Sequence, residues 1–342
     1  MDKTEHIFSG KTVSYYFDAS FSQLDQLVQK ENTILITDEN IFELHAPIFD
    51  GWKTIVIKAG EIHKQQSTID TIIGQLIELE ADRKTMIVGV GGGVVTDIAG
   101  YVAGIYMRGL QVGFVPTTIL AMVDASIGGK NGVDVGIYKN LVGLIKQPVF
   151  ILFDHSLLKT LPEDEWVNGF GEVIKHACIK DSALFDMLES TTLEEFKTSP
   201  RLLTELVRRN VDIKTGIVIK DEFENGERKL LNFGHTFGHA IENLYKLPHG
   251  HAVSIGMVIA AILSTEINGL DLTSKNRIIQ LLHKYSLPTS LAFDKKNVFK
   301  VLKMDKKRER EEISFVFLNQ IGDAVTRLVP IKQLEDFIYK RS

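Results

Sequence analysis

The 342-residue chain is too long for one ordinary hydrophobic core and has a length typical of two domains. Its formal net charge of −5 argues against nucleic acid or an anionic membrane as partner, so an anionic substrate would need locally clustered lysines and arginines. Its single cysteine, Cys178, excludes an intrachain disulfide and predicts a reducing, cytoplasmic location.

Strand and helix signals alternate in the first half of the chain. Between two of the strand signals, residues 68–79 carry isoleucine and leucine at helical spacing. Repeated strand, loop and helix predict a parallel sheet with helices on both faces, which binds ligands at the carboxyl ends of its strands. Short β-branched or apolar runs predict strands at 33–37, 54–58, 85–90, 111–115 and 149–153.

A strand that runs into three glycines and then a helix is the first candidate binding motif. It spans Ile87–Gly100, but Val94 occupies the last glycine position of the usual dinucleotide fingerprint. Glycines let the backbone approach a pyrophosphate, and the helix N-terminus offers unpaired N–H groups. A tight structural turn is the alternative. Asp97 either favours the helix dipole or hydrogen-bonds a carboxamide such as that of nicotinamide.

A second candidate binding segment runs from Val115 to Asn140. Two threonines at its strand end either cap the next helix or face a ligand. Two lysines, Lys130 and Lys139, fall in sequence that we interpret as a Gly-rich loop, with Asp124 nearby. Such loops bind phosphate, although they are also common at the surface.

From Pro162 onward the patterns are long and helical. A late strand is predicted at 313–318, and the charged stretch 303–312 is a candidate mobile loop. The longest apolar run, Met257–Leu263, is too short for a membrane span, and the N-terminus has no apolar core of signal-peptide type. We therefore expect an α/β domain over residues 1–160 and a mainly helical domain over 161–342. The helices are predicted at 163–188, 201–219, 230–244, 252–267 and 275–285.

Four histidines between residues 230 and 256 point to a divalent metal. His235 and His239 are four residues apart, on one face of a predicted helix, and His249 and His251 open the next helix. Glu172 lies in an apolar helical pattern, where an unpaired carboxylate would be costly, so it is a candidate fourth ligand. Spacing alone favours His235 and His239 as ligands and leaves His176 and His251 as alternatives.

As an ordered set, the motifs resemble the 3-dehydroquinate synthase family of sugar phosphate cyclases. The resemblance covers residues 38–324, and no single motif would be specific. It implies an N-terminal Rossmann-like α/β domain, a mainly helical C-terminal domain and a homodimer. The motifs are GGGVVTD, YMRG, VPTT, VDASIGGKNG, YKN, LKTLP, GEVIKH, KDEFENGERKLLNFGHTFGHA, PHGHAV and KMDKK.

The resemblance also implies site residues, and its metal ligands differ from those favoured by spacing. They are Glu172, His235 and His249, for one Zn²⁺ or Co²⁺ ion. NAD would be bound by Asp38, Asn40, Glu61, Lys64, Gly92, Gly93, Val94, Val95, Asp97, Thr117, Thr118, Lys130, Lys139, Thr160, Leu161 and Glu165. The phosphorylated sugar-acid substrate would be bound by Asp124, Lys130, Asn140, Lys175, Lys214, Arg228, Asn232, His239, Lys306 or its neighbour Lys307, and Arg108 of the partner subunit.

The implied reaction begins with transient oxidation of the substrate by NAD, which lets phosphate leave. The carbonyl is then reduced again, and an aldol step closes the ring. A polyol dehydrogenase of glycerol dehydrogenase type is one rival, but it would not need the clustered cations. A sister cyclase that makes an inosose or valiolone ring is another, although Lys214 and Arg228 favour a carboxylate substrate. A non-catalytic paralogue would not need every metal and cation position that this chain retains.

Overall fold

The computed structural model describes residues 1–136, 138–302, 308–309 and 311–340. Within it the chain forms two compact units: residues 1–166 with 199–222, and residues 167–198 with 223–342. The first unit is an α/β structure and the second is mainly helical, so the predicted fold class is confirmed. The domain boundary predicted after residue 160 stays a prediction.

The first unit is built on a seven-stranded sheet. Its strand order is β1-β2-β9-β6-β5-β3-β4, and all neighbouring pairs are parallel except the antiparallel β1–β2 hairpin. A separate antiparallel hairpin, β7–β8, belongs to the same unit. The strands of the first unit are β1 Asp2–Phe8, β2 Lys11–Phe17, β3 Thr33–Asp38, β4 Lys53–Ile57, β5 Met86–Gly91, β6 Gln111–Pro116, β7 Lys130–Val135, β8 Tyr138–Ile145 and β9 Phe150–Leu152.

The order in which strands are added to the sheet reverses at β3 and β5. The chain passes from β3 outward to β4 and then returns past β3 to form β5. The three central strands are buried on both faces, with Ile36, Val88 and Val115 fully buried. Such double burial requires the near-continuous apolar runs that the sequence carries. The carboxyl ends of β3, β5 and β6 meet at one edge, where an open α/β sheet binds its ligands.

The first unit also contains helices, and helices form most of the second unit. The second unit also contains an antiparallel sheet of β10 Arg308–Glu309, β11 Glu312–Gln320 and β12 Asp323–Pro330. The helices, in chain order, are α1 Glu39–Leu44, α2 Gln66–Glu78, α3 Gly93–Ile105, α4 Glu163–Lys180, α5 Ser182–Ser190, α6 Leu193–Thr198, α7 Pro200–Lys220, α8 His235–Tyr245, α9 His249–Leu263, α10 Leu272–Lys284, α11 Lys295–Leu302 and α12 Ile331–Lys340.

The apolar helix of the second unit is longer than the apolar run Met257–Leu263 that the sequence analysis identified. Helix α9 and the π-helical turn after it span His249–Asn268, which is long and apolar enough to cross a membrane by length and composition. The apolar segment is therefore longer than the run that we counted. It is 67% buried inside the fold, as expected for the core helix of a globular unit.

Three local expectations are also wrong. The helix predicted over 163–188 breaks at Asp181, whose side chain accepts a hydrogen bond from the Leu184 N–H and caps α5. The helix predicted from residue 230 begins at His235, because Gly234 adopts a left-handed backbone, with φ at 79°, and only a 3₁₀ turn precedes it. The supposed Gly-rich loop is the β7–β8 hairpin. Most of the charged stretch 303–312 lies outside the described residues.

Candidate active site

The edge of the sheet where β3, β5 and β6 end carries several predicted cofactor residues. Asp38 ends β3, and its Oδ1 accepts a hydrogen bond from the Ile41 N–H at 3.1 Å. Gly92 stands at the N-cap of α3 in an extended backbone, and the Thr117 N–H donates to the Gly91 carbonyl at 3.0 Å. The structure thus brings the acidic strand end, the glycine turn and the threonines to neighbouring strand ends.

A buried lysine links two of the predicted sites within the first unit. Lys64 is 4% exposed, and its Nζ lies 2.5 Å from Asp97 Oδ2 and 2.6 Å from Asn140 Oδ1. Burial acts to lower the pKa of Lys64, but the carboxylates of Asp97, Glu61 and Asp134 raise it, so the lysine stays charged. Helix α3 and the β7–β8 hairpin are thereby joined by one ammonium group.

Close packing against α3 fixes the β7–β8 hairpin. A Cβ added at Gly100 would fall 1.9 Å from Asn131 Oδ1, so a larger residue would displace the Asn131 amide, which donates to the Gly129 and Lys146 carbonyls. The Asn140 N–H donates to Asp134 Oδ1 at 2.7 Å while Asn140 adopts a left-handed backbone, with φ at 50°. Asparagine tolerates this conformation better than most residues. The hairpin therefore holds the Asn140 side chain towards Lys64.

A second charged pair joins α7 to the π-helical turn Ala121–Ala125. Lys214 Nζ lies 2.8 Å from Asp124 Oδ1 and also donates to the Asp124 carbonyl at 2.7 Å. Single-turn π-helices are frequent at functional sites. Two residues predicted to bind substrate are therefore in contact, although they are 90 positions apart in sequence.

The remaining predictions for the first unit lie on its surface or at helix ends. Lys139 pairs with Glu61 at 3.3 Å, and the Thr160 hydroxyl contacts His45 Nε2 at 2.7 Å. Arg108 follows α3 in a left-handed backbone, with φ at 68°. The others lie near strand ends or helix termini: Asn40 in α1, Val94 and Val95 in α3, Thr118 after β6, Lys130 in β7, Leu161 before α4 and Glu165 in α4.

Three ligand-type residues converge in the second unit. Glu172 of α4, His235 of α8 and His249 of α9 offer ligand atoms that all lie within 4.8 Å of one another. Glu172 Oε1 is 3.3 Å from His235 Nε2 and 3.1 Å from His249 Nε2. Two neutral imidazoles and a carboxylate form a donor set suited to zinc or a similar divalent ion. This group matches the set implied by the family resemblance, whereas spacing had favoured His239.

Hydrogen bonds orient both histidines for such a role. His235 Nδ1 lies 3.1 Å from the Phe233 carbonyl, and His249 Nδ1 lies 3.3 Å from Glu242 Oε2. An imidazole whose Nδ1–H donates to an acceptor keeps the Nε2 lone pair for a metal. Both Nε2 atoms point to the same oxygen of Glu172, as the ligands of one ion would.

The electrostatics of this group keep Glu172 ionised. Burial raises its pKa, but Lys175 and His235 outweigh this effect and hold it well below the usual range. Burial lowers the pKa of His235, whereas hydrogen bonds to Glu172 and Glu242 outweigh burial at His249 and raise its pKa to about 10.

The other predicted residues of the second unit surround the triad or lie in the segment before α8. Lys175 forms a buried ion pair with Glu172, and the His239 ring lies 5.0 Å from the His235 ring, centroid to centroid. Arg228 is 3% exposed in the 3₁₀ turn Glu227–Asn232, and Asn232 Nδ2 donates to Glu224 Oε1 at 2.5 Å. Lys306 and Lys307 lie outside the described residues.

Sequence reasoning missed two carboxylates. Asp134 accepts from the Asn140 backbone, and Glu242, 3% exposed, contacts the ring of His249. A signal for Glu242 was present, since it stands three residues after His239 in the same predicted helix. A buried carboxylate near histidines indicates a polar partner.

Comparison with known proteins identifies the family. Residues 54–168 match the family described as 3-dehydroquinate synthase N-terminal, and residues 169–308 match 3-dehydroquinate synthase C-terminal. The chain belongs to the 3-dehydroquinate synthase family. Two curated relatives and one solved structure extend the comparison.

The relatives carry the family name over most of the chain. A 3-dehydroquinate synthase of Pyrococcus abyssi is 41% identical over 81% of each chain. One of Methylacidiphilum infernorum is 39% identical over 92% of this chain and 89% of its own. The fold also matches a 2-epi-5-epi-valiolone synthase of Streptomyces hygroscopicus subsp. jinggangensis, solved with NAD⁺ and Zn²⁺, at 25% identity, a TM-score of 0.87, and 99% and 98% coverage.

Proposed function

We propose that the protein converts 3-deoxy-D-arabino-heptulosonate 7-phosphate to 3-dehydroquinate and inorganic phosphate. The observation that carries this proposal is the identity of about 40% to curated 3-dehydroquinate synthases over most of the chain. The reaction is a carbon–oxygen lyase step of the shikimate pathway, which leads to aromatic amino acids. Sister cyclases share the fold at lower identity and are tested below.

The first unit binds NAD in this proposal. Asp38 at the end of β3 suits the ribose hydroxyls, and the glycine turn with the N-terminus of α3 suits the pyrophosphate. Bound NAD⁺ supplies a hydride acceptor and, as NADH, the donor that returns the same hydride. Asp97, held by Lys64, is the group assigned to the nicotinamide carboxamide.

Glu172, His235 and His249 are assigned to a divalent ion. The fit rests on the donor set and on the two Nε2 atoms that face one carboxylate oxygen. A bound Zn²⁺ or Co²⁺ supplies a Lewis acid that acidifies the substrate hydroxyls. Lys175 neutralises part of the charge of Glu172 and is assigned, with Arg228 and Asn232, to the substrate.

The cations of the chain bind an anionic substrate and orient it for elimination. In the first unit Lys130, Asn140 and Lys214 are assigned to the substrate, and in the second unit Lys175, Arg228 and His239 are. Oxidation at C5 acidifies the neighbouring C–H, so its proton leaves with the departing phosphate, whose oxygen accepts it. The hydride returns to C5 before the ring opens and the aldol step closes the carbocycle. Atoms and electrons therefore balance without net consumption of NAD.

Assembly and location are also proposed. The family resemblance favours a homodimer in which Arg108 reaches the site of the partner subunit, and light scattering of the purified protein tests the mass. The exposed Met107 and the left-handed backbone at Met107 and Arg108 suit a residue presented to another molecule. A cytoplasmic location is supported by the single buried cysteine, Cys178.

Phosphate release with simultaneous absorbance at 340 nm tests the function. The zinc- or cobalt-loaded protein is given 3-deoxy-D-arabino-heptulosonate 7-phosphate and a catalytic amount of NAD⁺. We expect phosphate in large excess over NAD⁺, no accumulation of NADH, and no turnover after metal chelation.

Two other outcomes would contradict the proposal. Accumulating NADH without phosphate would indicate a polyol dehydrogenase. Phosphate released from sedoheptulose 7-phosphate but not from the sugar-acid substrate would indicate a sister cyclase. The His249→Ala variant is the control for contaminating phosphatase, because it lacks a metal ligand but keeps the rest of the chain.

A further inference from the structure

A buried carboxylate lies behind the candidate metal triad. Glu242, on α8, is 3% exposed, and its Oε2 lies 3.3 Å from Nδ1 of His249. The other nitrogen of the same ring, Nε2, lies 3.1 Å from Glu172 Oε1. The ring of His249 therefore sits between two carboxylates, and only one of them belongs to the triad.

We propose that Glu242 is a positioning residue that holds the His249 ring in the tautomer and orientation needed to bind the metal. This inference rests on the proposed function only through the metal site. The Nδ1–H of His249 donates to Glu242, which leaves the lone pair of Nε2 for the ion and increases the basicity of the ring. The Phe233 carbonyl does the same for His235, at 3.1 Å from its Nδ1.

His249 needs this support because it is the most exposed member of the triad. Its side chain is 28% exposed, whereas Glu172 is fully buried and the His235 side chain is 10% exposed. A more exposed side chain has fewer packed neighbours to fix its rotamer, so a hydrogen bond to its second nitrogen contributes more to its orientation. Glu242 comes from a different helix, so the contact also ties the start of α9 to α8.

An alternative interpretation is that Glu242 and His249 belong to a second cation site. His239, Glu242 and His249 also offer ligand atoms within 4.8 Å of one another. In that arrangement His249 would bind ions through both ring nitrogens, which requires removal of its second proton. We favour the positioning role because a neutral imidazole donating to a carboxylate satisfies both groups without that cost. The two readings differ in the number of ions bound per chain.

Cobalt titration of the metal-free full-length protein tests the proposal. Visible absorption of Co²⁺ reports both the affinity and the ligand geometry, and zinc competition extends the range. We expect one ion per chain in the wild type and in His239→Asn. Glu242→Gln should weaken cobalt binding by about 10-fold and Glu242→Leu by up to about 100-fold, with altered absorption bands. Glu189→Gln, which removes an exposed carboxylate of the same unit, should bind as the wild type does.

The outcomes separate the alternatives. Cobalt affinity within twofold of the wild type in Glu242→Gln would overturn the positioning role, and this variant preserves the volume of the side chain if Glu242→Leu does not fold. Two ions per chain in the wild type, with one in both His239→Asn and Glu242→Gln, would make Glu242 a ligand and overturn the proposal. A wild type that turns over substrate but binds no cobalt or zinc would overturn the metal site, while absent turnover with normal metal binding would overturn the proposed function alone.

Discussion

The buried, charged side chain of Lys64 contacts one residue of the predicted cofactor site and one of the predicted substrate site. Its ammonium group lies between the Asp97 carboxylate and the Asn140 amide, and the side chains of Lys64 and Asp97 are 5% and 14% exposed. A buried pair gains little overall relative to a well-packed apolar pair, because both ions lose their hydration. Loss of one partner is different, since it leaves an uncompensated charge.

We expect Lys64→Met to lower the free energy of unfolding of the first unit by roughly 3 to 5 kcal/mol. Both tryptophans, Trp52 and Trp166, belong to this unit, so urea unfolding followed by tryptophan fluorescence in the absence of NAD⁺ measures it. Adding Asp97→Asn to the same variant should restore part of the loss, because the unpaired charge is removed.

Lys58→Met is the matched control for the lysine change. Lys58 pairs with Glu39, but its side chain is 71% exposed, and exposed pairs contribute little. This variant should unfold at the same urea concentration as the wild type. Equal stability of Lys64→Met and the wild type would show that the buried ammonium group does not hold α3 and the hairpin together.

Two glycines let α4 and α9 approach closely enough to bring Glu172 beside His249. A Cβ at Gly250 would lie 1.9 Å from the Asn168 carbonyl oxygen, and a Cβ at Gly171 would lie 2.7 Å from the Cα of Gly250. The Gly250 N–H also donates to Asn168 Oδ1 at 2.6 Å. The metal triad is therefore assembled by backbone contact between helices as much as by the ligands themselves.

Gly250→Ala should therefore damage both stability and metal binding. The nearest atoms belong to the backbone and cannot rotate away, so the helices must separate, at a cost of about 1 to 3 kcal/mol. The displacement moves His249 relative to Glu172, and we expect weaker cobalt binding than in the wild type. Thermal unfolding by circular dichroism and cobalt titration measure the two effects.

Gly74→Ala provides the comparison within another helix. Gly74 lies in α2, and a Cβ added there meets nothing within 4 Å. Alanine at such a site should stabilise the helix by about 0.4 to 1 kcal/mol and leave cobalt binding unchanged. If Gly250→Ala behaved in the same way as Gly74→Ala, close helix contact would not be what positions the triad.

The spacing of apolar residues predicted the elements that are buried along their whole length. It missed elements in which buried and exposed residues do not follow a regular pattern. The central strands β3, β5 and β6 carry unbroken apolar runs and were placed within one or two residues. The β7–β8 hairpin was missed because β8 is largely exposed and its glycines pack against neighbouring backbone, which no local pattern reveals. The break at Asp181 was missed because the apolar spacing continues across it.

The candidate site divides in the same way between local and long-range information. Gly92 and Asp97 follow from a strand-to-helix pattern, so sequence alone indicated them, whereas Asp38 came from the family resemblance. An apolar helical pattern offered Glu172, and helical spacing paired His235 with His239. The group in the structure depends on three helices, and only the family resemblance chose His249 in place of His239 in advance. Glu242 was missed because its contact with His249 depends on how α8 meets α9.

The proposed cofactor residues and metal ligands belong to different compact units. The residues assigned to NAD all fall within 1–166, and the metal ligands all fall within 167–198 and 223–342. Any ligand that binds only the folded state stabilises it, by about 2.7 kcal/mol at a concentration 100 times its dissociation constant. Metal and NAD⁺ should therefore raise the melting temperature through separate sets of contacts.

His249→Ala should remove the metal-dependent rise in melting temperature and keep the NAD⁺-dependent one. Differential scanning calorimetry of the metal-free protein, with zinc or NAD⁺ added singly, measures both shifts. His251→Ala is the matched control, since it changes the neighbouring histidine on the same helix and should keep both shifts. A zinc shift that persists in His249→Ala but disappears in His251→Ala would move the ligand assignment to His251. Loss of the NAD⁺ shift in His249→Ala would mean that the cofactor depends on the metal-binding unit, against the assignment of its contacts to the first unit alone.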